Sequence, residues 1–554
     1  MDYTTLSEII FPDVSCTVED YFVKYPSRNL AAGGAVTRFA PSPTGFVHIG
    51  NFMPALIDFI LAKSTDGVFF LRIEDTDKKR EVQSATRLIM ETLRYFGIMP
   101  DEYELDGETV GSYGPYTQSK RAGIYHAFLK RLVALGRAYP CFCAQGDMEQ
   151  VRVKQEADKL RTGYYGEFAA CRNLSNEERA ARIRSGAPFA LRFRSEGDPD
   201  RRFRFHDAIK GDLEFPENDQ DIIIMKTETL LPTYHFAHVV DDALMRTTHV
   251  VRGEDWLPSA PVHVEMFRAF GLTPPIYVHN PLILKRDHDD PDSVRKISKR
   301  KDPEALMDYY IQKGYPAAAV VDAMMVIINS NYEEWRAANP DAPFTGFKFS
   351  INKMSASGAF FDMAKLNYFS REIISRMTMD ELYDESYRWA GEHDDQLKNL
   401  IERDPGYYKE IINIEREQPK PRKDIAMYGG IIDYLWYMYE DLFEERRGGY
   451  QWPNDMLAES AAQILDTYIN GYYTVESQEL WFAKIKEMCA ALGYASETKA
   501  YKKNPELYRG SLNDVIAVIR MAATSLSATF NLYSIMRLLG KDRVRRRFEL
   551  SIAK

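Results

Sequence analysis

Between Val36 and Ile73 the chain spells out one strand–loop–helix–strand unit, and that unit limits the rest of the fold more than any other segment. The apolar-edged run Val36–Ala40 reads as a strand and Pro41–Gly45 as a Pro- and Gly-rich loop. Phe52, Ala55, Leu56, Phe59 and Ile60 follow at the spacing of one buried helix face. Pro54 is placed in the first turn of that helix, where a missing N–H costs little. The helix is expected to stop near Asp66-Gly67. Val68–Ile73 is then a continuous apolar run, the pattern of a parallel strand covered on both faces. Such a βαβ unit commits the chain to a parallel sheet flanked by helices. Sheets of this kind bind ligands at the carboxyl ends of their strands.

The 554 residues exceed what one hydrophobic core supports, since cores stop growing near ~250–300 residues. A second α/β block starts near Asp221, with Ile222–Met225, Val250-Val251 and Ile276–Val278 as buried strands. The stretch between, roughly 120–220, is richer in charge and holds Cys141, Cys143 and Cys171. It reads as an insertion that splits one sheet into two halves. Beyond about 305 strand signals almost vanish, and helical patterns run to a last helix at Val544–Ala553. A hydrophobic share of 45% and a charged share of 27% are those of a soluble globular protein. No run reaches the ~18 apolar residues of a membrane span, and Met1-Asp2-Tyr3 lacks the basic start of a secretory signal. Five scattered cysteines read as reduced, so a cytoplasmic protein without membrane contact is expected. The net charge of -10 argues against a nucleic-acid coat protein but leaves room for an enzyme with a local basic stripe.

Arg38–Asn51 (RFAPSPTGFVHIGN) lies where the first strand becomes the first helix. His48 and Gly50 at a helix N-terminus suit a nucleotide. Backbone N–H groups and the positive helix end face phosphates, an imidazole can donate to them, and a glycine permits close approach. Far along the chain, Lys296–Arg300 (KISKR) sets Lys296 and Lys299 around a serine, a cationic loop able to clamp a developing pyrophosphate. Taken singly, these segments read as an ordinary strand-to-helix turn and a solvated basic turn. Flanking a split sheet, they point to nucleotide chemistry.

Together with Leu71–Asp77 (LRIEDTD), Pro232–Asp242 (PTYHFAHVVDD) and Thr248–Asp255 (THVVRGED), these strings resemble the class I aminoacyl-tRNA synthetases, and among them the bacterial-type glutamyl-tRNA synthetases. Phe361-Asp362 with Lys365–Asn367, and Gly510-Ser511 with Leu538–Lys541, carry the resemblance through to residue 554. It implies an α/β, Rossmann-type catalytic domain in two halves, 37–119 and 221–305, with a connective insertion at 120–220. An N-terminal extension at 1–36 precedes them; a stem-contact region at 306–375 and an all-α anticodon-binding domain at 376–554 follow. By matched position, Arg38, Ala40, Ser42, Glu74, Tyr234, His238 and Arg252 would line a pocket for L-glutamate. His48, Gly50, Asn51, Glu254, Asp255, Lys296 and Lys299 would serve ATP with Mg2+, with His48, Lys296 and Lys299 as the catalytic groups. Asn51 stands where the wider class has the second histidine of His-Ile-Gly-His, which removes any cationic role there. The implied reaction forms glutamyl-adenylate and transfers it to the 2′-hydroxyl of the terminal adenosine of tRNA(Glu), with tRNA bound before activation. Charging of tRNA(Gln) stays open, and a monomer is expected.

Cys141, Cys143 and Cys171 resemble a zinc site of some members of that family, where a tyrosine completes the set; Tyr165 is taken here over Tyr164. Plain buried cysteines are the alternative. Lys420–Lys423 and Arg543, Arg545, Arg546 and Arg547 could meet tRNA phosphates or form a solvated helix face. Three rivals remain. The string APSPTG, Arg252 and the helical tail speak against a glutaminyl-tRNA synthetase, and the long tail against the short base-modifying relative. The presence of His48 and Lys299 speaks against an inactive paralogue.

Overall fold

Val36, Thr37, Arg38 and Phe39 are all buried, so the first strand (β1, Val36–Phe39) has no solvent face. In the computed structural model it pairs parallel with β2 (Val68–Leu71), and Arg38 stands opposite Phe70. The connecting helix α1 (Ile49–Ser64) buries Phe52, Ala55, Leu56 and Ile60 against the sheet. A Cβ on Gly67 would overlap the Ala35 carbonyl, so only glycine allows the helix to turn back so tightly into β2. Pro54 departs from its expected place. It sits in the second turn of α1, where its missing N–H costs the helix the bond to the Gly50 carbonyl.

The structure describes residues 1–77, 84–286, 293–298 and 300–553, which fall into two compact units. The first comprises Met1–Tyr310 with Val321–Met363. Its antiparallel sheet is formed by β3 (Ala138–Cys141), β4 (Ala190–Phe193) and β7 (Ile223–Met225). The hairpin of β5 (Arg202–Asp207) and β6 (Gly211–Pro216) lies between β4 and β7 in the chain. After α2 (Tyr234–Leu244) come β8 (His249–Gly253), α3 (Ala260–Ala269) and β9 (Ile276–Asn280). Strands β8 and β9 pair parallel, and Thr248 N–H donates to the Val36 carbonyl at 2.9 Å, which carries the sheet across to β1. Strand β9 continues to β5 through Tyr277 opposite Asp207.

Two strand assignments therefore trade places. Ile222–Met225, expected to open the second half of the parallel sheet, pairs antiparallel with β4; the hairpin from the expected insertion joins the parallel sheet instead. A short apolar run reveals burial but not the direction of its partner. Among the described residues beyond 305 one strand survives, β12 (Ala359–Phe360), which pairs with β10 (Ile283–Arg286); β10 also pairs with β11 (Val294–Lys296).

The N-terminal helices Tyr3–Ile10 and Val18–Lys24 place Leu6, Phe11 and Val18 in one core with Phe128 and Leu129. Arg28 clamps Glu102 at 2.7 and 2.8 Å and lies 3.8 Å over the Tyr113 ring. Residues 1–36 are thus packed structure, a role that the sequence did not disclose.

In the second unit, Ile311–Val320 with Ala364–Lys554, every regular element among the described residues is a helix. Its last helical stretch, Leu532–Ile552, breaks at Gly540 (φ 75°) and so begins well before Val544. Of the basic cluster there, Arg547 alone is buried and Arg546 is exposed. Arg547 is fully buried and donates to Glu440 at 3.0 Å and to the Tyr437 and Ala523 carbonyls at 2.6 and 2.7 Å. Arg543 turns onto the Leu538 and Leu539 carbonyls, and Arg546 pairs with Glu444. Arg547→Ala strands Glu440 and two carbonyls, so it should cost on the order of 3 kcal/mol in urea unfolding of the full chain.

Candidate active site

The carboxyl ends of β1 and β8 bring Arg38 and Arg252 to one cavity of about 610 Å³. It is lined as well by Ala40, Ser42, His48, Gly50, Asn51, Glu74, Tyr234, Asp255 and Lys296, all named from the sequence. His48 is the N-cap of α1: its Nδ1 accepts from Gly50 N–H at 2.9 Å, which leaves Nε2 as the protonated, donating nitrogen. A Cβ on Gly50 would press on that ring at 3.1 Å, so the glycine makes room for the imidazole itself.

Arg38 is held from behind. Its Nη1 donates to the Val251 carbonyl at 3.1 Å, and its Nε lies 3.4 Å from Asp242. Asp242 also takes Arg72 at 2.6 Å, and Arg72 reaches Glu74 at 3.1 Å. Asp241, beside it, accepts from Arg121 at 2.7 Å, Gln118 at 2.9 Å and Tyr125 at 2.8 Å. Burial alone would raise Asp242, but Arg72 and Arg38 hold its carboxyl well below the usual range. Glu74 goes the other way: burial outweighs Arg72 and Arg38 and lifts its carboxyl to about 7.

Three expected site residues lie elsewhere. His238 is fully buried behind Tyr234, its ring stacked on the tyrosine at 5.8 Å and its Nδ1 2.6 Å from Asp242, so it supports the pocket without lining it. Burial brings it down to about 4, which keeps it neutral. Glu254 turns its carboxylate to the Leu282 N–H at 3.1 Å and to Lys210, away from the cavity. Tyr165 donates to the Arg161 carbonyl, whereas Tyr164 lies 3.5 Å from Cys141 Sγ and 3.3 Å from Cys143 Sγ. Lys299 and residues 287–292 lie outside the described residues.

Other residues at the site were not singled out. Lys226 and Thr76 line the cavity, and Lys226 donates to the Thr76 carbonyl at 2.8 Å. Asp302 anchors the KISKR turn, accepting from both Arg295 Nη atoms at 2.6 and 2.8 Å and from Ser298 N–H at 2.9 Å. The i, i+4 spacing of His238 and Asp242 was the available signal that both share one face of α2. His263 and His279 had no such signal, because only the fold brings them to Arg252.

A parallel sheet split by an insertion, with a histidine-capped helix and a basic turn facing one cavity, defines a class I synthetase catalytic domain. The family model for "tRNA synthetases class I (E and Q), catalytic domain" matches residues 35–368. A glutamate--tRNA ligase of Clostridium perfringens (strain SM101 / Type A) is 46% identical over 556 residues, covering 100% of both chains. That of Acetivibrio thermocellus is 43% identical, covering 99% of this chain and 100% of the relative. The crystal structure of a glutamate tRNA ligase from Elizabethkingia meningosepticum, in complex with its amino acid, matches with a TM-score of 0.74 at 25% identity, over 94% of this chain and 99% of that one. The chain belongs to the class I tRNA synthetases of the E and Q type, and within them to the glutamate--tRNA ligases.

Glu74 makes the site pH-sensitive. Its folded value of about 7 lies above the ordinary carboxyl value, so its share of stability is full at low pH and is lost as pH rises through about 7. A cation held at Glu74 would need the opposite form, the carboxylate. The amino-acid kcat/KM should therefore climb with pH to about 7 and then level. Glu74→Gln should erase that limb of the profile.

Proposed function

We propose that this pocket activates L-glutamate with ATP and that the chain passes the glutamyl group to the 2′-hydroxyl of the terminal adenosine of tRNA(Glu). The observation that carries the reading is Arg252. It is buried in the cavity wall with its Nη2 unpaired, across from a carboxylate, Glu74, able to hold an α-ammonium. Glutamate's α-carboxylate oxygen attacks the α-phosphorus of ATP and pyrophosphate leaves. The tRNA 2′-hydroxyl oxygen then attacks the adenylate's acyl carbon, forming the ester as the acyl–phosphate bond breaks. AMP leaves, with the hydroxyl proton passing to its phosphate or to water. His48 Nε2–H donates toward the phosphates, and Lys296 and Lys299 stabilise charge on the departing pyrophosphate. Mg2+, when bound with ATP, neutralises part of the phosphoryl charge. No side chain is acylated, so catalysis rests on placement and electrostatics. The helical second unit is assigned to the tRNA beyond its acceptor end. A cytoplasmic monomer with tRNA(Glu) as its acceptor accords with this reading, and tRNA(Gln) is the acceptor to assay beside it.

An arginine fork only donates, so a carboxamide must turn its own NH₂ toward the cation or leave donors unpaired. Arg252→Gln should lower kcat/KM for glutamate by about 30-fold or more, from a lost buried charge partner of roughly 2–5 kcal/mol, while changing glutamine use much less. Both amino acids are measured with the same tRNA; an unchanged glutamate-to-glutamine ratio refutes the role of Arg252.

The thiol cluster supports a structural zinc. The Sγ atoms of Cys141, Cys143 and Cys171 lie within 4.8 Å of one another. Cys171 Sγ accepts from Phe142 N–H at 3.4 Å, as a ligating thiolate does, and Tyr164 would supply its oxygen as the fourth ligand. Bound there, zinc would add folding energy and no chemistry. Metal analysis of chelator-washed protein should find about one equivalent, lost in Cys141→Ser and retained in Tyr165→Phe. Protein grown with ample zinc and found free of it would leave the cluster as plain cysteines.

A further inference from the structure

The two arginines that line the pocket are held in opposite ways. Arg38 shares the carboxylate of Asp242, which cancels much of its charge. Arg252 has no carboxylate partner among the described residues. Its Nε donates to His279 Nε2 at 2.9 Å and its Nη1 to His263 Nδ1 at 3.1 Å, with both rings fully buried. The Tyr277 ring lies 4.7 Å beneath the guanidinium.

A guanidinium offers donors only, so both imidazole nitrogens that face it must be bare acceptors. That assignment fixes each ring's proton on its far side. For His279 the proton sits on Nδ1, 2.6 Å from Asp207 Oδ2. Asp207 is itself anchored by the N–H groups of Ile209 and Lys210, each at 2.9 Å. For His263 the proton sits on Nε2, 2.9 Å from His235 Nδ1. Each ring is thus locked into one tautomer by a partner outside the cavity lining, the arrangement by which outer groups orient a functional one. Burial, with the charge of Arg252 added to it, lowers both imidazoles from their usual value, so neither competes as a cation.

We propose that His263 and His279 are positioning residues that hold Arg252 through neutral acceptors, so that its charge stays uncancelled for the substrate's side-chain carboxylate. The idea rests on the reading of Arg252 given above. Its physical content is that shape alone is not enough. A carboxylate at either histidine would orient the fork equally well, yet it would satisfy the charge inside the protein and leave less for the ligand. Preference for an acid over its amide would then fall even with Arg252 in place.

The test uses near-isosteric pairs. Asparagine can set its Oδ1 where His263 Nδ1 stands, a neutral acceptor, and aspartate sets a charged one there. Glutamine and glutamate do the same for His279 Nε2. Steady-state aminoacylation with the full-length enzyme gives kcat/KM for glutamate and glutamine, with the same tRNA, in wild type, H263N, H263D, H279Q, H279E and R252Q. H263D and H279E should lose at least ~30-fold of the glutamate-to-glutamine ratio, chiefly through the KM for glutamate. H263N and H279Q should hold it within ~3-fold, with the KM for ATP unmoved in all four. Equal losses in the neutral and charged variants would overturn the proposal, since packing and not charge would then be at work. So would unchanged ratios in H263D and H279E beside a lowered ratio in R252Q. Should one charged variant fail to fold, the pair at the other histidine decides. An unchanged ratio in R252Q instead refutes the underlying role of Arg252.

Discussion

Asp242 gathers Arg72, Arg38 and His238 around one buried carboxylate, and the pocket's geometry depends on that cluster. It joins three stretches far apart in the chain: the end of β1, the residue after β2 and the helix α2. A buried charge without its partners is costly, so these stretches cannot separate without exposing or stranding several ions. Arg38 and Glu74, both in the cavity wall, are linked through Asp242 and Arg72. Rigid placement is what a catalyst without a covalent intermediate needs.

The site divides its charges between two tasks. Carboxylate-paired arginines, Arg38 and Arg72, hold the architecture and tune Glu74; Arg252, held by imidazoles, keeps its charge available. The same guanidinium group is thus held in this site by anions at Arg38 and Arg72 and by neutral acceptors at Arg252.

Away from the pocket, several arginines act as internal struts. Arg547 ties the last helix to Glu440 and two carbonyls. Arg28 and Arg246 fasten the N-terminal helices, Arg246 through the Tyr25 carbonyl at 2.7 Å. A basic residue in a sequence carries no mark of whether water or a carbonyl receives it, since a long side chain reaches either.

The βαβ unit and the place of His48 at its helix N-terminus were legible from residue order alone, because each is local: strand, loop and helix residues lie within a few positions of one another. Arg38, Glu74 and Arg252 were named from separate strings that resemble the family, and only the fold brings them to one cavity. Contacts between distant segments needed the tertiary structure. Only the fold decided that Tyr164 and not Tyr165 faces the thiols, since neighbouring residues point in different directions and the local backbone selects between them. The fold likewise turned Glu254 away, set His238 behind Tyr234 and exchanged the partners of Ile223–Met225 and Arg202–Asp207. The support of Arg252 by His263 and His279 is of this kind too. It joins β8 to α3 and β9, and no spacing in the chain encodes which imidazole nitrogen will face a guanidinium once the sheet has closed.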